Sequence, residues 1–306
     1  MSFPLPRAVR PGSRLAVVAP AGPFNEAPFR KGLAWLSQRY EVRTRSDIFS
    51  KSGYFAGSDE RRLDELNEAI LDPDVDAVIC ARGGFGTTRL LPGIDPAAVR
   101  NANKTLVGFS DITALHALWA RAGVRSIHAP MVAALGTASE TLREKWITLL
   151  ENPAAPLQWN LQGMNEPPGA PVEGILTGGN LAVLAALVGT PYRPPLDDRI
   201  LFLEDVGERP YRVDRLLTTM TQAGWFDRVR GVLIGAFTEG DPGPDGVTLD
   251  EVLARHFREV PFPVLRGLSA GHVENNEPLP FGTEVRIEGG KATTGTIFPA
   301  VPDDLT

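Results

Sequence analysis

Cysteine is almost missing from this 306-residue chain, with Cys80 its one copy. A single thiol excludes an internal disulfide and a cysteine-rich zinc site. Histidine is scarce too: there are four, scattered, and none forms a His-Glu-x-x-His pair or another zinc pattern. Lysine and arginine number 31 against 37 aspartates and glutamates, which leaves no basic footprint for nucleic acid. No apolar run is long enough to span a bilayer. The opening Met1-Ser2-Phe3-Pro4-Leu5-Pro6 lacks the apolar core of a signal peptide. The expectation is a cytoplasmic protein with no metal and no other cofactor, and with no nucleic-acid or membrane partner. Cys80 ends an apolar strand pattern and reads as a buried structural thiol.

What is present is an ordinary globular composition, 43% hydrophobic and 22% charged, in a chain long enough for two domains. In the first half, apolar strand patterns at 14–19, 40–44, 76–80, 105–107 and 125–128 alternate with helical periodicity, for example at 26–39 and 59–71. That alternation predicts a parallel, doubly wound α/β sheet. In such sheets ligands bind beyond the carboxyl ends of the strands. Three loops are expected at that edge: Pro20-Ala21-Gly22-Pro23, the run from Arg82 through Gly83 and Gly84 to Gly86, and Gly108-Phe109-Ser110-Asp111.

Residues 152–171 carry five prolines and little apolar periodicity and read as a linker. The expected division is 1–151 for the N-terminal α/β domain, 152–171 for the linker and 172–306 for the C-terminal domain. In the latter, 199–205 is a buried-strand pattern ending in Glu204 and Asp205, the helix at 180–188 is apolar on nearly all sides, and 283–287 and 292–298 are β-rich.

Ser110 sits where a strand turns into a helix. It reads either as an N-cap or as a nucleophile projecting from the sheet edge, beside N–H groups without internal acceptors. The stretch departs from Gly-x-Ser-x-Gly, because Ile112 holds the last position. The Gly83–Gly86 loop reads as a plain turn, as a phosphate cradle of no standard pattern, or as a source of N–H groups for a reacting carbonyl. Glu204 ends an apolar strand, an expensive place for an unpaired charge, and a salt bridge is the alternative to catalysis. His272 is the one histidine outside a helix or strand pattern, and an ordinary surface histidine is its alternative. Together Ser110, His272 and Glu204 are the types needed for a nucleophile, its general base and an orienting carboxylate.

Five stretches in order, Val18-Ala19-Pro20-Ala21-Gly22-Pro23, Ala81-Arg82-Gly83-Gly84-Phe85-Gly86, Val107-Gly108-Phe109-Ser110-Asp111, Leu203-Glu204-Asp205-Val206-Gly207-Glu208 and Gly271-His272, make the chain resemble the LD-carboxypeptidases, or muramoyltetrapeptide carboxypeptidases, over nearly its whole length. The resemblance implies a flavodoxin-like N-terminal parallel-sheet domain, a smaller β-rich α/β domain and a homodimer. It implies a Ser110–Glu204–His272 triad with an oxyanion hole at the N–H groups of Asp111 and Gly84. The implied reaction releases terminal D-alanine from a small peptide substrate, the murein tetrapeptide, in cell-wall recycling. Arg82 is a candidate for the substrate's terminal carboxylate on charge grounds, with a structural ion pair as the alternative. The same family contains microcin C self-immunity proteins, which cleave an aminoacyl-adenylate analogue, and a non-catalytic muropeptide- or nucleotide-binding protein on this fold is a third reading.

Overall fold

A computed structural model describes residues 2–165 and 170–294. The first half forms β1 (Arg14–Val18), α1 (Glu26–Leu36), β2 (Glu41–Thr44), α2 (Asp59–Leu71), β3 (Ala77–Cys80), α3 (Thr87–Leu90), α4 (Pro96–Ala102), β4 (Thr105–Gly108), α5 (Thr113–Ala122), β5 (Ser126–His128), α6 (Val132–Leu135) and α7 (Glu140–Glu151). Strands β1 to β5 pair in parallel in the order β2-β1-β3-β4-β5, the flavodoxin-like order. Each of β3, β4 and β5 is buried along its length, because helices cover both faces of a parallel sheet.

The second half begins earlier than the proline-rich composition suggests. Within the expected linker, β6 (Gln158–Asn160) and β7 (Gln162–Gly163) join the second sheet, β6 at one edge and β7 at the other. The linker assignment of 152–171 is therefore corrected. Short edge strands need few hydrogen bonds and tolerate neighbouring prolines, so local composition hides them. The remaining elements are β8 (Val172–Asn180), α8 (Leu181–Ala186), β9 (Arg199–Val206), α9 (Pro210–Gln222), β10 (Gly231–Thr238), α10 (Leu249–Phe257), β11 (Val264–Arg266), β12 (Leu279–Phe281), β13 (Glu284–Glu288) and β14 (Lys291–Thr294). The sheet runs β6-β14-β13-β8-β9-β10-β11-β7, with β8 to β11 parallel and the outer strands antiparallel. Residues 295–298, expected to extend the last strand, lie outside the described residues. Helix α8 buries only Leu181 and Leu184, less than its all-round apolar pattern implies.

The two halves share a core. Leu106, Leu115, Leu118 and Trp119 pack in one cluster with Leu181, Leu201, Leu217 and Phe257. Helix α5 is buried on nearly every side, since one flank meets the first sheet's elements and the other meets β8 and α8. Strand β12, though late in the chain, pairs antiparallel with β5 and forms the edge of the first sheet. At the joint, Thr113 Oγ1 accepts the Asn180 N–H at 2.9 Å, and Asn180 Nδ2 donates to Asp205 Oδ1 at 2.8 Å.

A polypeptide ending at Pro171 loses β12 and uncovers the second flank of α5. It is expected to bind hydrophobic dye and to melt without a cooperative transition. A sharp calorimetric transition close to that of the full chain would contradict the shared core.

Candidate active site

Strand β4 delivers the chain to the sheet edge, and Gly108 lets it turn, because a Cβ there would lie 2.9 Å from the Ile112 side chain. Ser110 follows with φ +65°, in the left-handed region. A serine held there carries strain of about 1–3 kcal/mol. Phe109, not Ser110, occupies the cap position of the short 3-10 turn Ser110–Ile112. The N-cap reading of Ser110 is thereby corrected: a capping residue has extended backbone, and Ser110 does not. The Gly83 loop passes so close that a Cβ on Gly83 would stand 2.9 Å from Ser110 Cβ and 3.1 Å from its Oγ. Gly22 N–H donates to Gly83 O at 3.0 Å, so the three expected loops do meet at one edge. From beneath, Arg62 Nη1 donates to Pro20 O at 2.5 Å and Glu65 Oε2 accepts the Ala19 N–H at 2.6 Å. These bonds hold the first loop in place.

His272 Nε2 is 3.0 Å from Ser110 Oγ, and His272 Nδ1 is 2.8 Å from Glu204 Oε2. The structure thus brings Ser110, His272 and Glu204 into one hydrogen-bonded line across the joint between the halves. Glu204 is fully buried at the end of β9. Gly271 makes room for its carboxylate, since a Cβ on Gly271 would lie 2.6 Å from Oε2. The Phe109 ring stacks at a tilt 5.0 Å from the imidazole of His272.

The line opens into a cleft of about 870 Å³ walled by Pro23, Phe24, Phe49, Lys51, Arg82 and Met131 among others. Among the described residues no aspartate or glutamate lines it, whereas Lys51 and Arg82 do. The Arg82 guanidinium donates to Pro23 O at 2.7 Å and is otherwise exposed, and no ion pair to it is found among the described residues. Gly84 lines the same cleft with φ +118°. The Asp111 side chain points the other way: it is buried, Oδ2 accepts the Thr87 N–H at 2.9 Å, and burial lifts its pKa to about 6. Its own N–H belongs to the first turn after Ser110, where helical acceptors are missing. The aromatic wall of Phe24 and Phe49 and the cation Lys51 were not singled out from sequence, because they sit in irregular segments without periodicity.

The other histidines have different work. His256 bonds Asp214 at 2.7 Å. His116 bridges Ser126 Oγ at 2.8 Å and Gly108 O at 2.9 Å, and burial lowers its pKa to about 4. His128 is fully buried against Phe109, Phe202 and Phe281, and burial holds its pKa well below the ordinary value. Cys80 is buried and free, with its thiol pKa pushed up by desolvation. Among the described residues, no group of three or more His, Cys, Asp or Glu side chains is arranged to hold a metal ion. Nor is any helix among them long and apolar enough to cross a membrane.

Because His128 stays neutral when folded but takes a proton near pH 6.5 when unfolded, its contribution to stability is present above that pH and is lost as pH falls. His128→Phe is expected to gain stability relative to wild type below pH 6.5, by up to about 1.4 kcal/mol per pH unit. Urea unfolding at several pH values checks this, and a difference independent of pH would contradict it.

Residues 15–129 match the LD-carboxypeptidase N-terminal domain and residues 173–287 the LD-carboxypeptidase C-terminal domain. A putative carboxypeptidase of Streptomyces coelicolor is 38% identical, over 95% of this chain and 94% of its own length. The murein tetrapeptide carboxypeptidase of Pseudomonas aeruginosa is 32% identical, over 91% and 94%. The crystal structure of muramoyltetrapeptide carboxypeptidase from Oxalobacter formigenes superposes with a TM-score of 0.83 at 31% identity, covering 93% of this chain and 99% of that one. A microcin C7 self-immunity protein in complex with aspartyl sulfamoyl adenosine shares the fold, with a TM-score of 0.84 at 23% identity over 97% and 100%. Matched in both halves and over nearly its whole length, the chain belongs to the LD-carboxypeptidase family.

Proposed function

We propose that this carboxypeptidase releases the terminal D-alanine from murein tetrapeptides through a Ser110–His272–Glu204 relay. The observation that carries the reading is the continuous line from Ser110 Oγ through both imidazole nitrogens to the buried Glu204 carboxylate. Glu204 accepts from Nδ1, which leaves Nε2 unprotonated toward the serine. Ser110 Oγ attacks the scissile carbonyl carbon as its proton passes to Nε2. The N–H groups of Asp111 and Gly84 receive the oxyanion. Collapse of the tetrahedral adduct breaks the C–N bond, and the imidazolium returns the proton to the departing amine of D-alanine. Water then attacks the acyl-serine by the same base and restores the hydroxyl. Arg82 takes the terminal carboxylate, a role supported by its exposed guanidinium in a cleft wall without acidic residues. The setting we assign is cytoplasmic, in the recycling of cell-wall fragments, with the enzyme acting as a homodimer.

Ser110→Ala and His272→Ala are each expected to lower turnover by several orders of magnitude, and the double variant by little more, because members of one relay are not additive. Multiplying losses in steady-state assays would contradict the relay. Matched tetrapeptides ending in D- and L-alanine, run beside an aminoacyl-sulfamoyl adenylate, test the substrate. Inverting the last centre means carboxylate and methyl cannot both keep their places, so at least about tenfold preference for the D-epimer is expected, which needs only about 1.4 kcal/mol. Equal rates would overturn the substrate assignment, and preferential cleavage of the adenylate would move the enzyme to that chemistry with its relay unchanged. Exhaustive chelation should leave turnover intact, and a loss restored by added zinc would overturn the serine mechanism.

A further inference from the structure

We propose that Asn276 is a positioning residue for Glu204, its side-chain amide supplying through one bridging water the hydrogen bond that Glu204 Oε1 needs. The inference rests on the relay proposed above. Glu204 gives Oε2 to His272, but Oε1 is buried with no partner among the described residues. An ionised oxygen left bare in the interior costs several kcal/mol and frees the carboxylate to rotate away from the imidazole. Asn276 is itself buried, at 2% exposure. Its Oδ1 accepts the Gly271 N–H at 2.8 Å, while its Nδ2 is a buried donor with no partner among the described residues. The Gly271 N–H requires the oxygen on its own side, which fixes the amide orientation and leaves the nitrogen as the free end.

The two unmet groups flank one residue. Gly271 bonds Asn276 through its nitrogen, and its α-carbon, at φ +118°, lies so close to Glu204 that an added methyl would stand 2.6 Å from Oε2 and 2.9 Å from Cβ. A donor lacking an acceptor and an acceptor lacking a donor, on either side of the same glycine and not bonded to each other directly, are both satisfied by a single bridging water. Asn276 then fixes both ends of the His272–Glu204 contact: the histidine loop by its oxygen and the carboxylate by its nitrogen.

Of the titratable groups around this point, Glu277, next to Asn276 in the chain, is paired with Lys145. Asp205, next on β9, is held by Asn180 Nδ2, Ala182 N–H and its neighbour's N–H. His128, from β5, has no partner on either ring nitrogen among the described residues and packs its ring 5.1 Å from Phe202, so it is the control for any other unpaired donor.

The test compares kcat and KM of wild type, Asn276→Asp, Asn276→Ala, His128→Phe and His272→Ala on a murein tetrapeptide from mildly acid to mildly alkaline pH. In Asn276→Asp the introduced carboxyl still accepts the Gly271 N–H, so anchoring of the loop survives. Beside Glu204 it is kept protonated at low pH by the like charge, and in that form it donates as the amide does. Once it ionises, the donor is gone. The ratio of variant to wild-type kcat is therefore expected to fall as pH rises, to at least about tenfold below wild type, with KM within about twofold. Asn276→Ala should be impaired at every pH, and His128→Phe should track wild type. A flat ratio near one, or a deficit that His128→Phe reproduces, would overturn the proposal. Retained activity in His272→Ala would overturn the relay and the inference together, whereas an inactive His272→Ala beside a wild-type-like Asn276→Asp would remove the inference alone. Should Asn276→Asp melt early, the side-chain amide resonance of Asn276 decides: Glu204→Gln is expected to shift it, and an unchanged resonance overturns the proposal.

Discussion

A carboxylate with no solvent at the end of an apolar strand has to find a partner, and the geometry around Glu204 follows from that requirement. Leu201 and Leu203 are buried with it on β9, so Glu204 cannot reach water without unravelling the strand. Its partner is the imidazole of His272, reached only because Gly271 has no side chain. The histidine is in turn aimed at Ser110, whose left-handed backbone is held by the neighbouring Gly83 loop and by β4 behind it. A strained serine, two glycines with no room for a methyl and one buried charge are costs that the shared core must offset.

That core explains why the hydrogen-bonded line of Ser110, His272 and Glu204 spans the two halves without needing a flexible joint. Helix α5 begins immediately after the serine turn and is wedged between elements of both halves. Its first residue, Thr113, is bonded to Asn180, which stands opposite Glu204 in the strand register. Ser110 and Glu204 are thus fixed to the same buried bracket. Among the described residues the cleft above them presents cations and aromatic rings but no acid, which suits a small peptide ending in a carboxylate.

Much of this was legible in local sequence. The apolar runs at β1, β3 and β4, the glycine-rich exits and a serine between strand and helix are short-range signals, and they predicted the parallel, doubly wound half and the three loops at its carboxyl edge. The left-handed Ser110 was not legible, because nothing in Phe109-Ser110-Asp111 excludes a capping serine. Strand β12 was missed for a different reason: Leu279-Pro280-Phe281 is too short for periodicity, and its proline is tolerated only because it lies at a sheet edge. Strands β6 and β7 were hidden by the prolines around them. Long-range partners such as Asn180 for Thr113 leave no local pattern, and neither does the buried Asn276 that holds Gly271, since polar residues in loops read alike whether they are solvated or buried.

The central claim is that Ser110 becomes covalently acylated during turnover. Rapid-quench mass spectrometry of the intact enzyme with a murein tetrapeptide, followed by peptide mapping, tests it directly. The account predicts a transient mass increase equal to the peptide less its terminal alanine, carried by the fragment containing Ser110 and absent from the Ser110→Ala variant. Turnover that proceeds with no adduct at any quench time, or an adduct mapped to another residue, would contradict it.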